Sequence, residues 1–183
     1  MTNAQSLNLT PGTWNIDAVH SSVGFSVRHM MVSKVKGVFK EFGGQVVVAD
    51  DIEASSVSAT IKASSVDTGS EQRDAHLRSA DFWNAEQNET FEFRSTSITA
   101  DGGDWKVAGE LTLNGVTKPV VLDVEFGGAG PDGQGGQKAG FEAKTEINRK
   151  DFNVDFNMPM DGGGVVVGDK VTITLDIEAD LAQ

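Results

Sequence analysis

The chain has 183 residues, with 15 Lys or Arg against 27 Asp or Glu, so its formal net charge is −12 at pH 7. This length fits one domain with a substantial core. The acidic excess disfavours nucleic acid and anionic lipid headgroups as partners, because both attract Lys and Arg. The absence of Cys excludes disulfides, thiolate nucleophiles and Cys-ligated metal sites.

The N-terminus shows no targeting segment. Residues 1–11 are polar and have neither the basic nor the apolar region of a signal peptide. Pure apolar runs such as 46–48 and 165–167 are far shorter than the ~20 residues of a membrane-spanning helix. We therefore expect a cytoplasmic protein without a membrane span, in which residues 1–12 form an N-terminal tail and residues 13–183 form the domain.

The dominant pattern along the chain is an alternation of apolar and polar residues. It runs from Val19 to Met31 and recurs at 57–63, 120–126, 141–147 and 171–177. Because side chains alternate across a strand, each segment is expected to have one face on a core and one in water. Parallel strands covered on both faces would have continuous apolar runs, so the alternation predicts an all-β, antiparallel protein of eight or nine strands.

Between the strand patterns, three segments predict turns or a helix. Asn114 and Gly115 both tolerate the positive φ of a type I′ hairpin turn. Residues 127–140 hold seven Gly and one Pro and predict a mobile hairpin loop. Thr68 and Glu71 have capping-box spacing, and good helix formers follow, so we expect one short helix over about 70–80.

Six motifs, in order, resemble those of the YceI-like family: WNIDAVHS at 14–21, VGFSVRHM at 23–30, GVF with FGG in 37–44, RDAHLRSADFW at 73–83, GELTLNGVTKPV at 109–120 and INRKDF at 147–152. The resemblance extends from Trp14 to Ala179. It implies a lipocalin-like β-barrel of about eight strands over 13–183, associated with polyisoprenoids and other long-chain lipids. The family commonly has Gly after the last motif. This chain has Asn153 there, which also tolerates the left-handed backbone conformation.

A set of apolar residues is expected to face the barrel interior: Val23, Phe25, Val27, Phe39, Phe91, Phe93, Leu111, Leu113, Phe141, Ile147, Val171 and Ile173. In an eight-stranded barrel, side chains either fill the interior or leave room for one small ligand. Periodicity does not separate these alternatives, whereas the resemblance favours a ligand cavity.

Polar residues near strand ends and turns are candidates for contact with a ligand head group at the barrel mouth: His20, Ser21, His29, Arg73 and Arg149. For His29, which shares the face of Phe25 and Val27, a hydrogen-bonded core histidine is the alternative. An Arg fork suits phosphate or carboxylate, but charged residues beside turns also commonly hold loops in place.

The residues predict neither a metal site nor a catalytic site. His20 and His29 are an odd number of residues apart, so an uninterrupted strand would direct them to opposite faces and prevent chelation of one ion. No acid/base carboxylate pair and no nucleophile elbow is recognisable.

These observations favour non-catalytic binding of a long-chain apolar ligand in the barrel lumen. A polyisoprenoid such as a quinone tail or a prenyl phosphate is the preferred class, followed by a fatty acid or fatty amide, and no cofactor other than bound lipid is expected. Two alternatives remain open: a lipid-modifying barrel enzyme that uses His29 or His20, and a solid-core interaction module. The sequence is also compatible with a homodimer.

Overall fold

The chain is mostly antiparallel β-structure with one short helix. The computed structural model describes residues 2–160 and 164–183. Its elements are β1 (Gly12–Ile16), β2 (Ser22–His29), β3 (Ser33–Phe39), β4 (Phe42–Val48), β5 (Ser56–Lys62), β6 (Val66–Asp67), α1 (Glu71–Arg78), β7 (Thr90–Asp101), β8 (Asp104–Leu113), β9 (Val116–Pro131), β10 (Gln137–Asn148) and β11 (Val167–Leu181). Short 3₁₀ turns occur at Ala4–Leu7, Ile52–Ala54, Ala63–Ser65 and Arg149–Phe152.

The strands close into a barrel. Strand β11 pairs along one edge first with β2 and then with β1, so β1 and β2 act as one strand that is interrupted at 17–21. In the same way β3 continues β4, and β6 continues β5. These three interrupted strands and β7 to β11 form a closed antiparallel ring of eight. The predicted eight-stranded barrel with one short helix is confirmed.

The two ends of the barrel are different. The helix end, named after α1, collects residues 29–33, 67–89, 113–116, 149–160 and 164–166, and the N-terminal end collects residues 2–12, 48–55, 101–104 and 131–137. This separation follows from the up-and-down order of the strands, because alternate connections lie at opposite ends. It determines which residues can meet at the opening of the barrel.

The segment predicted as a tail packs against the N-terminal end. Ala4 is fully buried, and its backbone N–H donates to the carbonyl of Asp50 at 2.9 Å. Leu9 is only 4% exposed. The indole N–H of the buried Trp14 donates to the carbonyl of Thr10 at 2.9 Å. The described residues 2–12 therefore pack against the barrel through Ala4 and Leu9 and do not form a separate tail.

The glycine-rich segment is mostly strand. Because β9 continues to Pro131 and β10 begins at Gln137, only residues 132–136 form the turn, and the prediction of a loop over 127–140 is wrong. Glycine has a normal backbone donor and acceptor, so it joins a ladder when a partner strand is present. The Asp132 carboxylate closes the turn by accepting from the Gly136 N–H at 2.9 Å.

The predicted hairpin turn forms at the helix end. Asn114 and Gly115 have φ values of 53° and 74°, as a type I′ turn requires. The Asn114 side chain donates to the carbonyl of Phe152 at 3.1 Å and accepts from the Asn88 amide at 3.1 Å. Asn153 has a φ of 58°, so it retains the left-handed conformation expected at this position. The hairpin is thus tied to both neighbouring loops.

The predicted helix forms over a slightly shorter range, with a different cap. Ser70 caps α1 by accepting from the Arg73 N–H at 3.3 Å. Thr68, the predicted capping residue, instead donates its hydroxyl to the Asp74 carboxylate at 2.5 Å. The cap therefore lies two residues later than predicted, while the helix itself begins close to the expected position. Since Asp74 is buried, this bond fixes α1 against the preceding loop.

Candidate functional site: an apolar cavity with a basic mouth

The barrel encloses an apolar cavity of about 500 Å³. All of the residues predicted to face the interior line it: Val23, Phe25, Val27, Phe39, Phe91, Phe93, Leu111, Leu113, Phe141, Ile147, Val171 and Ile173. The volume lies within the roughly 300–1,000 Å³ that is typical of small-molecule sites. The interior therefore has room for a ligand, and a solid core does not describe it.

Strand register brings these residues onto one inner face. Val23 lies opposite Phe39 on β3 and Leu175 on β11, and Phe25 lies opposite Ile173. Because residues two apart in a strand share a face, every second residue of these paired strands points into the barrel. The alternation seen in the sequence is thus the direct origin of the lining.

Among the lining residues that were not predicted, two groups differ in origin. The first lies on β9, in an alternation that had been recognised as a strand: Val120, Leu122, Val124 and Phe126. The second comes from α1 and the turns after it: Leu77, Phe82 and Trp83. The β9 residues could have been found from the period of two, whereas the second group has no strand periodicity to reveal it.

Trp83 fixes the aromatic wall at the helix end of the cavity. Its indole N–H donates to the carbonyl of Ala63 at 3.2 Å. Its ring lies 5.7 Å from the rings of both Phe39 and Phe91, and 6.2 Å from that of Phe25. Tilted and edge-on pairs at these distances are favourable aromatic contacts. This wall is therefore held by specific packing.

The ionisable residues that line the cavity are all arginine or histidine: Arg28, His29, Arg73, His76 and Arg149. Although the chain has 27 Asp and Glu, none lines the cavity within 2–160 and 164–183. Four of the five belong to the helix end, and Arg28 lies one residue before it on β2. An anionic group on a ligand would therefore find opposite charge only at this end.

Arg73 is exposed at the mouth and held from one side. Its Nε donates to the hydroxyl of Thr68 and its Nη2 to the Thr68 carbonyl, both at 2.7 Å. No described residue accepts a hydrogen bond from Nη1. The guanidinium is thus oriented by the loop and retains donors for a further acceptor.

Arg149 is 5% exposed, and its guanidinium is occupied by the protein backbone. Nε donates to the carbonyl of Gly168 at 2.8 Å, and Nη1 donates to those of Val154 and Phe156 at 2.7 and 2.8 Å. Nη2 donates to the carbonyl of Val167 at 3.2 Å. This side chain joins the 149–156 segment to β11, so the structure corrects its predicted role as a head-group ligand.

His20 and Ser21 lie outside the cavity, in the break between β1 and β2. The His20 Nδ1 lies 2.6 Å from the Asp17 carboxylate, and the Ser21 hydroxyl donates to the carbonyl of Glu178 at 3.2 Å. The structure therefore corrects the prediction that these two residues contribute to the mouth. Alternation does not continue through 17–21, because the strand is interrupted there. His29, on the uninterrupted β2, does line the cavity.

Three potential metal ligands meet at this break. One ligand atom each from Asp17, His20 and Glu178 lies within 4.8 Å of the others. The Nζ of Lys138, however, lies 3.2 Å from Asp17 and 2.7 Å from Asp180. A resident ammonium group therefore already offsets part of the negative charge that would attract a cation. The arrangement is an ion-pair network, and the absence of a bound metal stays a prediction.

We expect the pKa of His20, measured by NMR titration, to lie above its ordinary 6.5, because the Asp17 hydrogen bond and the charges of Asp17 and Glu178 raise it. The same hydrogen bond lowers the pKa of Asp17 below its ordinary 3.8. The pair therefore stabilises the fold fully at pH values between the ordinary pKa values of Asp17 and His20, 3.8 and 6.5. Stability is lost as pH rises through the raised pKa of His20 or falls through the lowered pKa of Asp17.

Asp17→Asn should return the pKa of His20 toward 6.5. Asp81→Asn, beside His76, is the matched control and should leave His20 unchanged. A wild-type His20 that titrates at or below its ordinary value would contradict this assignment.

Fold and site together define a class of protein: a closed, eight-stranded antiparallel barrel with an apolar interior and a basic opening. Small barrels of this kind have room for a single small ligand. The chain belongs to the YceI-like family, whose domain matches residues 14–179. Within the described residues, no helix is both long and apolar enough to cross a membrane.

The similarity extends to proteins of several bacteria. Protein YceI of Escherichia coli is 46% identical over 136 residues, which cover 74% of this chain and 71% of that protein. A UPF0312 protein of Photorhabdus laumondii is 44% identical over 140 residues, or 76% and 73% of the two chains. These relatives confirm the family resemblance seen in the motifs.

Solved structures share the fold. BcnA of Burkholderia cenocepacia has a TM-score of 0.76 at 25% identity, covering 89% of this chain and 98% of its own. A YceI protein of Campylobacter jejuni has a TM-score of 0.72 at 31% identity, covering 91% and 96%. A polyisoprenoid binding domain of Saccharophagus degradans has a TM-score of 0.66 at 15% identity, covering 92% and 98%, and shows the fold alone.

Proposed function

We propose that the protein binds one long-chain apolar molecule with an anionic head group, without a chemical step, and that a prenyl phosphate is the favoured ligand. One observation carries the proposal: the ionisable residues around an apolar cavity of about 500 Å³ are all arginine or histidine. Burial of hydrocarbon stabilises by about 25 cal/mol per Å². Burial of the ligand's hydrocarbon chain therefore provides affinity, and the basic residues at the mouth orient its head group.

The charge at the mouth favours some ligands over others. A quinone tail fits the apolar interior but presents no anion to Arg73 and His29, whereas a fatty acid presents a carboxylate. The branched isoprenoid class is supported by the polyisoprenoid named for the Saccharophagus degradans domain. A phosphate also offers more acceptors than a carboxylate to several basic side chains at once.

The arrangement of the histidines supports binding rather than catalysis. His20 lies outside the cavity, and in the described part of the chain no carboxylate accepts a hydrogen bond from His29. A catalytic histidine normally needs such an orienting partner. His76 has one, with its Nε2 2.9 Å from the Asp81 carboxylate, so the enzyme alternative is best tested there. Turnover of a prenyl or acyl ester that disappears in His76→Ala would favour catalysis.

We expect untagged protein to carry a lipid that organic extraction and mass spectrometry detect. After delipidation, farnesyl phosphate should change the emission of Trp83 and Trp105, which both line the cavity. Arg73→Gln should weaken the binding of farnesyl phosphate about tenfold, or about 1.4 kcal/mol. The affinity for farnesol should stay unchanged, because only the phosphate accepts hydrogen bonds from the guanidinium. Arg94→Gln, exposed on β7, is the matched control.

Variants that narrow the cavity test whether the ligand's hydrocarbon chain binds inside the barrel. Val27→Phe should abolish uptake of both probes while the protein stays folded, whereas Val38→Phe on the outer face of the adjacent strand should change neither. Absence of extracted lipid together with absence of uptake would overturn the proposal. If farnesyl phosphate and farnesol bind equally well and Arg73→Gln changes neither affinity, the proposed preference for an anionic head group is wrong. Tighter binding of a fatty acid than of farnesyl phosphate would favour a fatty acid as the ligand.

A further inference from the structure

The β2–β3 hairpin has the opposite charge to the rest of the protein. Residues 18–40 contain four basic residues and no Asp or Glu, in a chain whose net charge is −12. Lys40 lies far from the turn and pairs with Asp67 at 2.9 Å. Arg28, Lys34 and Lys36 are exposed near the turn, with Arg28 opposite Lys34 in the ladder. The hairpin thus presents a cluster of positive charge at the helix end.

The tip of this hairpin is apolar and exposed. Met30, Met31 and Val32 are 42%, 58% and 82% exposed, and nearby Met158 is 54% exposed. We call these four residues the mouth patch. They are half of the eight exposed large apolar residues in the described chain. The Met30 N–H donates to the carbonyl of Val166 at 2.8 Å, and the Val166 N–H donates to that of Met158 at 3.1 Å, so the patch is contiguous.

The mouth patch borders the cavity. Met158 and Val166 both line it, as does His29, the residue immediately before the tip. A molecule that contacts the patch therefore also contacts the opening through which a ligand would pass. Of the charge cluster and the apolar tip, only Arg28 lines the cavity.

The backbone of the tip is strained. Met30 and Met31 have φ values of 52° and 64°, in the left-handed region, and the Val32 N–H donates to the carbonyl of His29 at 3.2 Å. Asn and Gly are the residues suited to that backbone, and the chain uses them in the hairpin at 114–115, where φ is also positive at two successive residues. Two partly exposed methionines therefore occupy positions that Asn and Gly suit better, and strain of this kind concentrates at functional sites.

We infer that the mouth patch docks on the surface of a bilayer with anionic lipids. Met30, Met31 and Val32 insert among the acyl chains, while Arg28, Lys34 and Lys36 contact the lipid phosphates. An apolar tip flanked by Lys and Arg has the chemistry of interfacial binding. The net charge of −12 disfavours binding of the whole protein to an anionic bilayer. Salt, however, screens acids more than about 8 Å from the hairpin, so the local charge decides.

Sedimentation with vesicles tests this inference. The protein should bind vesicles of phosphatidylcholine mixed with phosphatidylglycerol, bind weakly to phosphatidylcholine alone, and lose binding as salt rises. The variant Met30→Asn/Met31→Gly should bind about tenfold less. Its melting temperature should be unchanged or higher, because Asn-Gly suits the turn. Loss of vesicle binding without loss of stability separates docking from folding.

Charge is tested separately. Lys34→Gln/Lys36→Gln should weaken binding to the anionic vesicles and reduce its salt dependence. Lys118→Gln/Lys144→Gln removes the same charge from exposed positions on β9 and β10 and should leave binding unchanged.

Three results would overturn the inference. The first is no vesicle binding by the wild-type protein, and the second is undiminished binding by Met30→Asn/Met31→Gly. The third is a wild-type homodimer that this variant converts to a monomer in analytical ultracentrifugation, because the patch would then join two copies of the chain. The vesicle assay contains no cavity ligand, and farnesyl phosphate uptake by the variant is measured independently. Failure of docking is therefore distinguishable from failure of the proposed function.

Discussion

Replacing Arg149 with Met should lower the free energy of unfolding by about 3 kcal/mol or more, because several buried acceptors lose their donor at once. The side chain is 5% exposed and donates to four backbone carbonyls, at residues 154, 156, 167 and 168. Its loss leaves these acceptors without their donors, and an unsatisfied buried group costs about 1–3 kcal/mol. Denaturant unfolding followed by circular dichroism measures the change.

The adjacent residue provides the control. Lys150 is exposed and its Nζ lies 3.4 Å from Asp169, so Lys150→Met should change stability by less than about 1 kcal/mol. Arg149→Lys should restore little, because one ammonium group cannot span the acceptors that the planar fork reaches. Equal stability of Arg149→Met and Lys150→Met would contradict the structural role given to Arg149.

The second large effect is expected at a glycine of β4. Gly44 lies opposite Ala59 of β5, and a Cβ there would overlap the backbone carbonyl oxygen of Ser58 and approach the Ala59 Cα to 2.9 Å. Because both atoms belong to a backbone in the ladder, they cannot move as a side chain would. Gly44→Ala should lower the free energy of unfolding by about 2–3 kcal/mol.

Gly43 is a matched control in the same strand. A Cβ at Gly43 meets nothing within 4 Å, so Gly43→Ala should change stability by less than about 1 kcal/mol, in the stabilising direction if at all. Thermal and denaturant unfolding of the two variants should therefore diverge. If they lose stability equally, close packing of β4 on β5 is not the reason for glycine at position 44.

Local patterns determined much of this protein. The period-two alternation of residues such as Val23, Phe25 and Val27 predicted both antiparallel strands and the inner face that lines the cavity. Asn114-Gly115 predicted a hairpin, because a type I′ turn needs two positive φ values in succession. These features could be predicted because each depends only on residues within a few positions along the chain.

Tertiary structure decided the rest. Whether the interior stays open depends on strand register and closure, and the glycines of 127–131 became strand only because β10 lies beside them. The break at 17–21 places His20 outside the mouth, whereas backbone carbonyls of 154–156 and of β11 accept the hydrogen bonds of Arg149. Each of these outcomes depended on which backbone segments lie beside one another in the closed barrel, and a one-dimensional pattern contains no information about which groups will meet there.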